Sequence, residues 1–231
     1  MNVENIAPWE LLQKKMTWEQ LKYIQNKKIL DFGSGNGMTA SHFAIDNEVI
    51  AIEPNKEILK GRFRENNYTQ ITGDMKELKH FEDESFDVIL CHNVFEYLVE
   101  RKEIIREFSR ILKRNGYLSI LKHNRAGRVM QMVVLLNNFG HANELLAGEN
   151  GHAQQFGEIN YYDYSEIFKW SDKFELEKIF GIRTFWDLQQ NQEIHKDESW
   201  QKQMLKIELK VCEVEEYRSI SSFHHVILRK K

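Results

Sequence analysis

The sequence predicts an α/β domain, a mostly parallel sheet with helices on both faces. Three observations carry this. The apolar run Ile29-Leu30-Asp31-Phe32 breaks into the glycine-rich Gly33-Ser34-Gly35-Asn36-Gly37. After a helix-length gap a second apolar run, Val49-Ile50-Ala51-Ile52, ends on Glu53. Residues 86–91 are apolar almost without a break, as in a strand buried on both faces, and strand-like and helix-like stretches alternate on either side of them.

Residues 8–25 read as a helix, with Trp9, Leu12, Met16, Trp18, Leu21, Tyr23 and Ile24 at helical spacing. This flank is expected to lie over the carboxyl end of the sheet as a lid, or to pack on the sheet as an ordinary helix. Strands are expected at 28–32, 48–53, 68–72 and 86–91, and a helix at 38–45. Pro54 is placed in the first turn of a helix running to about 63. At 100–113, Ile104, Ile105, Phe108, Ile111 and Leu112 form one apolar face of a helix that Asn115-Gly116 should end. A fifth strand follows at 117–122. Residues 124–164 read as an insertion, with a helix at 127–138 and a mobile stretch from Gly140 to Glu158. A helix at 163–170, a strand at 174–184, a helix at 197–214 and a strand at 222–229 complete the chain.

The bulk numbers set bounds. A chain of 231 residues, 42% hydrophobic and 29% charged, fits one globular domain. A net charge of −3 gives no global basic field that would advertise nucleic acid or an anionic membrane, and neither DNA nor a membrane is expected as a partner. Cys91 and Cys212 read as core thiols in a reducing cytosol, and no Cys/His cluster has metal-ligand spacing. The polar start Met1-Asn2-Val3-Glu4-Asn5 carries no signal-peptide pattern, and no apolar run reaches spanning length, so a cytoplasmic location is expected.

The glycine turn is the chemically informative motif. Gly33, Gly35 and Gly37 can take φ > 0 and let a ligand approach the main chain, and the next helix points free N–H groups into the same space. Glu53, twenty positions after Gly33, can accept bonds from ribose hydroxyls. A dinucleotide fingerprint needs a third small residue where Met38 stands, so the G-x-G-x-G spacing points to a nucleoside ligand with no pyrophosphate to cradle.

On these residues the chain resembles the class I S-adenosylmethionine-dependent methyltransferases. Ile71-Thr72-Gly73-Asp74-Met75, Phe86–Asn93 and Arg110–Ile120 look like that family's third strand, fourth strand and entry to strand five. The resemblance implies a Rossmann-like seven-stranded sheet of order 3-2-1-4-5-7-6 with strand seven antiparallel. It implies S-adenosylmethionine as cofactor, with Asp31, Gly33, Ser34 and Gly35 at its methionyl end, Glu53 on the ribose, and Asp74 with Met75 at the adenine. Asp31 could instead only brace the loop, and Asp74 could be a turn or cap residue. His92, at the end of strand four, could hold the amino-acid part of the cofactor, act as a base or be a structural hydrogen-bonder. His224 and His225 read as structural.

The layout is similar, more closely, to the bacterial tRNA 5-carboxymethoxyuridine methyltransferases. Leu90–Tyr97, His123-Asn124-Arg125-Ala126-Gly127 and Gly181–Asp187 carry the likeness. That resemblance implies a carboxylate acceptor, with His123, Asn124, Arg125 and Arg183 at the substrate rim, where solvated strand-end charges are the alternative. The sequence departs from the relatives in holding two Arg and no Lys within 124–164, and Gln13 where they can place an Arg. The expected protein is one methyltransferase domain over 1–231, with 1–26 as flank and 124–164 as lid, working as a monomer or homodimer. Two other readings stand beside it: the same cofactor used on a small metabolite, and a cofactor-binding protein without catalysis.

Overall fold

The computed structural model describes residues 6–153 and 157–231. The polar start at Met1–Asn5 and residues 154–156, toward the end of the stretch expected to be mobile, lie outside the described residues. In chain order the elements are α1 (Pro8–Gln20), β1 (Lys28–Phe32), α2 (Met38–Phe43), β2 (Glu48–Glu53), α3 (Lys56–Lys60), β3 (Thr69–Thr72), β4 (Phe86–His92), α4 (Arg101–Ile111), β5 (Leu112–His123), α5 (Arg125–Val134), α6 (Phe139–Leu146), β6 (Gly151–Ala153), β7 (Gly157–Ile159), α7 (Glu166–Trp170), β8 (Phe174–Ile182), α8 (Glu198–Val211), α9 (Glu215–Arg218) and β9 (Phe223–Lys230).

Seven strands form one sheet in the order β3-β2-β1-β4-β5-β9-β8. The first five run parallel, and β9 is antiparallel to both its neighbours. With the separate β6–β7 hairpin set aside, this is the expected order.

Side chains alternate across each strand, and the sheet therefore has two cores. Leu30, Ile89, Cys91, Leu118 and Ile120 pack with Ile104, Ile105, Phe108 and Ile111 of α4. Ile29, Ala51, Leu90 and Leu121 pack on the other side with Leu12 and Met16 of α1 and with Ala40 and Phe43 of α2. By the same alternation Asp31, Glu53 and His92 point to the α1–α2 side, at the carboxyl ends of three neighbouring strands. That places three titratable groups in the cleft where open α/β sheets bind ligands.

The structure corrects several boundaries. α4 ends at Ile111, and Leu112 already pairs with Phe86 in the sheet. Asn115 (φ +61) and Gly116 form a bulge inside β5, and a Cβ on Gly116 would sit 2.8 Å from the Asp87 carbonyl. The Asn-Gly signal was a turn within a strand, not a helix end. Pro54 precedes α3, whose cap is Asn55, with its side chain accepting from the N–H of Glu57 and of Ile58. The helix expected at 127–138 runs instead over Arg125–Val134, and Asn137 at φ +50 and Asn138, which caps α6, follow it. Among the described residues, the stretch expected to be mobile folds into α6 and the β6–β7 hairpin, with Met132, Ala142 and Leu145 as a small core of their own.

Candidate functional site

The turn between β1 and α2 is anchored by main-chain bonds. Gly33 and Ser34 both donate to the Ile52 carbonyl, at 2.9 and 3.0 Å, and Gly37 donates to the Ser34 carbonyl. All three glycines have positive φ, at +75, +56 and +73, but their surroundings differ. A Cβ on Gly33 would collide with Val94, and one on Gly37 with the Tyr68 hydroxyl, whereas Gly35 faces open space. Two of the glycines therefore serve packing against the protein's own chain, and only Gly35 leaves room for a ligand. The first N–H of α2 is also taken, since Met38 donates to Asn36 Oδ1.

Glu53 is buried and already bonded. Its Oε2 accepts from Gly35 N–H and its Oε1 from Asn55 N–H, both at 2.9 Å. A carboxylate has about four lone-pair sites, so each oxygen can still take one further donor. Asp31 is 3% exposed and its Oδ2 has no partner among the described residues. Burial pushes its carboxyl up from 3.8 to about 6, Lys14 pulls it down, Glu53 adds to the rise, and the Ala40 N–H opposes it. Lys14, which donates to Thr39 Oγ1 at 3.0 Å, was not anticipated from the sequence; only the docking of α1 brings it here. Asp74 is exposed and caps the 3₁₀ turn Met75–His80 by accepting from Lys76 N–H at 2.8 Å. His92 is half-buried, with Nε2 2.8 Å from Ser119 Oγ. Burial is the main cause that drives its imidazole well below the ordinary range.

The rim at the ends of β4 and β5 differs from expectation. Arg183 is not a free anion hook. It has a left-handed backbone (φ +61), is buried, pairs with Asp187 through Nε and Nη2, and lies between the rings of Trp9 and Phe223. Gln13 meets this guanidinium at 3.4 Å, so the residue that departs from the relatives' Arg serves here as its acceptor. Asn124 is structural: it caps α5 by accepting from Ala126 N–H and donates to the carbonyls of Ser219 and Ser221. Lys122 lies under the Tyr162 ring rather than at the rim.

His123 and Arg125 do face the insertion. His123 stands 3.4 Å from the Tyr97 hydroxyl, and its own N–H donates to buried Glu96 at 2.6 Å. Burial, with Arg183, Arg128 and Lys122 nearby, lowers its imidazole to about 3, so it is neutral at physiological pH. Arg125 lies over the Tyr161 ring and donates to the Leu145 carbonyl, tying α5 to α6. Arg128, one turn further along, was missed in the sequence because nothing in its local pattern separates it from a solvated charge.

A glycine turn, a buried acid ending β2 and an antiparallel strand inserted beside β5 together define a class, the nucleoside-cofactor methyltransferase fold. Residues 30–120 match the methyltransferase domain family, and the chain has the fold of solved S-adenosylmethionine-dependent methyltransferases, a match and a likeness that imply S-adenosylmethionine as cofactor. The tRNA 5-carboxymethoxyuridine methyltransferase of Escherichia coli K12 is 22% identical over 95% of this chain and 88% of its own length. A ubiquinone biosynthesis O-methyltransferase of Histophilus somni is 30% identical over 50% of the chain and 56% of its own. Among solved structures, an S-adenosylmethionine-dependent methyltransferase from Mesorhizobium loti superposes with a TM-score of 0.59 at 14% identity, covering 99% of this chain and all of the other. The PH0226 protein of Pyrococcus horikoshii gives 0.63 at 13%, covering 98% and 93%. The residues present suit the cofactor: the backbone is open at Gly35, and beside it a buried carboxylate oxygen of Asp31 lacks a donor. No helix among the described residues is long and apolar enough to cross a membrane.

Proposed function

We propose that this protein methylates a carboxylate on a modified uridine of tRNA. The observation that carries the reading is similarity to the E. coli enzyme along nearly the whole of both chains. In this reading Asp31 takes the ammonium of the cofactor, Glu53 the ribose hydroxyls, and the Gly35 backbone the edge between them. Asp74 and Met75 border the adenine and His92 the methionyl side. When bound, S-adenosylmethionine supplies a methyl group already activated on a sulfonium. An ionised carboxylate has no proton to lose, so the protein needs only to align the acceptor and exclude water. Alignment of this kind is worth roughly 7–11 kcal/mol of barrier.

Arg125 and Arg128 support an anionic acceptor. Both sit in the first turn of the ten-residue α5, at its positive dipole end. Neither forms an ion pair among the described residues, and they flank Tyr161, whose buried hydroxyl has no partner. The segment 124–164 would then close over the modified base.

The test is incubation of the protein with a labelled methyl donor and tRNA, followed by mass spectrometry of the nucleosides. We expect label on a uridine derivative as an alkali-labile methyl ester. Label appearing only on small-molecule acceptors supplied in parallel would replace this reading with methylation of a metabolite.

A further inference from the structure

A hydrogen-bonded chain runs from His92 beneath the crevice, and its members beyond His92 take no part in the steps above. His92 Nε2 meets Ser119 Oγ at 2.8 Å, Ser119 Oγ meets His225 Nε2 at 2.7 Å, and His225 Nδ1 meets Gln20 Oε1 at 2.7 Å. The chain crosses β4, β5 and β9 and ends on the last residue of α1. Ser119 and His225 are wholly buried and Gln20 nearly so. Its middle is shut off from bulk solvent.

The polarity of the chain is set at Gln20. Its Oε1 can only accept, so His225 Nδ1 carries the proton. Neutral His225 then has its lone pair on Nε2 and takes the Ser119 hydroxyl proton. Ser119 Oγ is left to accept, and His92 Nε2–H donates to it. Gln20 Nε2 is buried without a hydrogen-bond partner among the described residues, so Oε1 is the end of the amide that the chain engages. His92 Nδ1, unprotonated, is bonded to no group among the described residues.

We infer that Ser119, His225 and Gln20 are positioning residues that fix His92 as the Nε2–H tautomer and present Nδ1 to the crevice as a hydrogen-bond acceptor. The part about the crevice rests on the methyl-donor reading above; the tautomer does not. An acceptor at this point suits a ligand ammonium or hydroxyl donor, whereas an imidazolium would repel a sulfonium. The same chain makes the tautomer of His92 depend on the seating of α1. Burial acts in the same direction at both rings, lowering His225 to about 3 and His92 well below its ordinary value.

The experiment is long-range proton–nitrogen correlation NMR on the ¹⁵N-labelled full chain without ligand. We expect His92 protonated on Nε2 alone. Ser119→Ala should give averaged tautomers, and Ser119→Thr, which restores a hydroxyl, should restore the single tautomer. Should Ser119→Ala not fold, Gln20→Met cuts the chain at its outer end with the same expected signature. A proton on Nδ1 in the wild type, or a tautomer indifferent to Ser119→Ala or Gln20→Met, overturns the proposal. Calorimetry with S-adenosylhomocysteine separates the two readings. A wild type that does not bind rejects the donor pocket and leaves the tautomer result standing. A wild type that binds should lose about fivefold in Ser119→Ala, the scale of one neutral hydrogen bond; equal binding overturns the presentation of Nδ1 to the crevice.

Discussion

Replacing Asp31 by Asn should make the free protein more stable at neutral pH while weakening cofactor binding. The carboxyl is 3% exposed, one oxygen has no partner, and burial outweighs the attraction of Lys14 and the Ala40 N–H, holding it at about 6 instead of 3.8. At 1.36 kcal/mol per unit, ionised Asp31 costs the fold roughly 3 kcal/mol. Because the folded state binds this proton more tightly than the unfolded state, its stabilising contribution is complete below pH 3.8 and is lost as pH rises to about 6. The amide is the same shape, still accepts from Ala40 and never ionises. Urea unfolding of the ligand-free wild type and variant at pH 4 and pH 7.5 gives the measurement. The difference between them is the readout, because the depressed histidines His123, His224 and His225 give both proteins the opposite slope. Their stabilising contribution is complete above pH 6.5 and is lost as pH falls toward the folded values of about 3 to 4. We expect the proteins to match at pH 4 and the variant to lead by up to about 3 kcal/mol at pH 7.5. With S-adenosylhomocysteine the order should shrink or reverse, because the ligand ammonium supplies the donor that Oδ2 lacks. A variant less stable than wild type at pH 7.5, or a gap identical at both pH values, would refute the reasoning.

Three further outcomes are expected. Glu53→Ala should weaken S-adenosylhomocysteine binding by roughly 1.5–3 kcal/mol in calorimetry, the range for a hydrogen bond to a charged group, and unchanged affinity would show that the carboxylate only braces Gly35 and Asn55. Gly35→Ala and Gly37→Ala should separate function from folding. Each costs about 1–2 kcal/mol for its positive φ, but only Gly37→Ala displaces the Tyr68 hydroxyl from its 2.8 Å bond to the Phe63 carbonyl. Gly37→Ala should therefore melt lower, and Gly35→Ala should lose more cofactor affinity for its loss of stability. Arg128→Ala should lower kcat/KM for the tRNA acceptor by roughly ten- to a hundredfold, on the scale of one charge-assisted bond, and leave S-adenosylhomocysteine affinity unchanged; parallel losses in both would move Arg128 out of the acceptor site.

The strand order came from the family resemblance, while the glycine turn and the acid ending β2 were legible in the residues themselves. They rest on local periodicity and on backbone conformations that only certain residues tolerate. Strands β1 and β2 fall on the expected residues because nothing competes with their apolar alternation. Asn115-Gly116 misled because a left-handed turn is the same local event inside a bulged strand as at a helix end. Which β5 contains was decided by its pairing with β4.

Tertiary structure alone settled the charges. Arg183 and Arg128 are alike in sequence, yet Asp187 neutralises the first, and the second has no ion pair among the described residues. The three glycines share a sign of φ and differ in what stands opposite them. Lys14 and Gln20 meet Thr39 and His225 across 25 and 205 positions of chain. The reason is physical: secondary structure follows from forces within a few residues, whereas the state of a buried polar group is set by whichever partners the packed fold brings within about 3 Å.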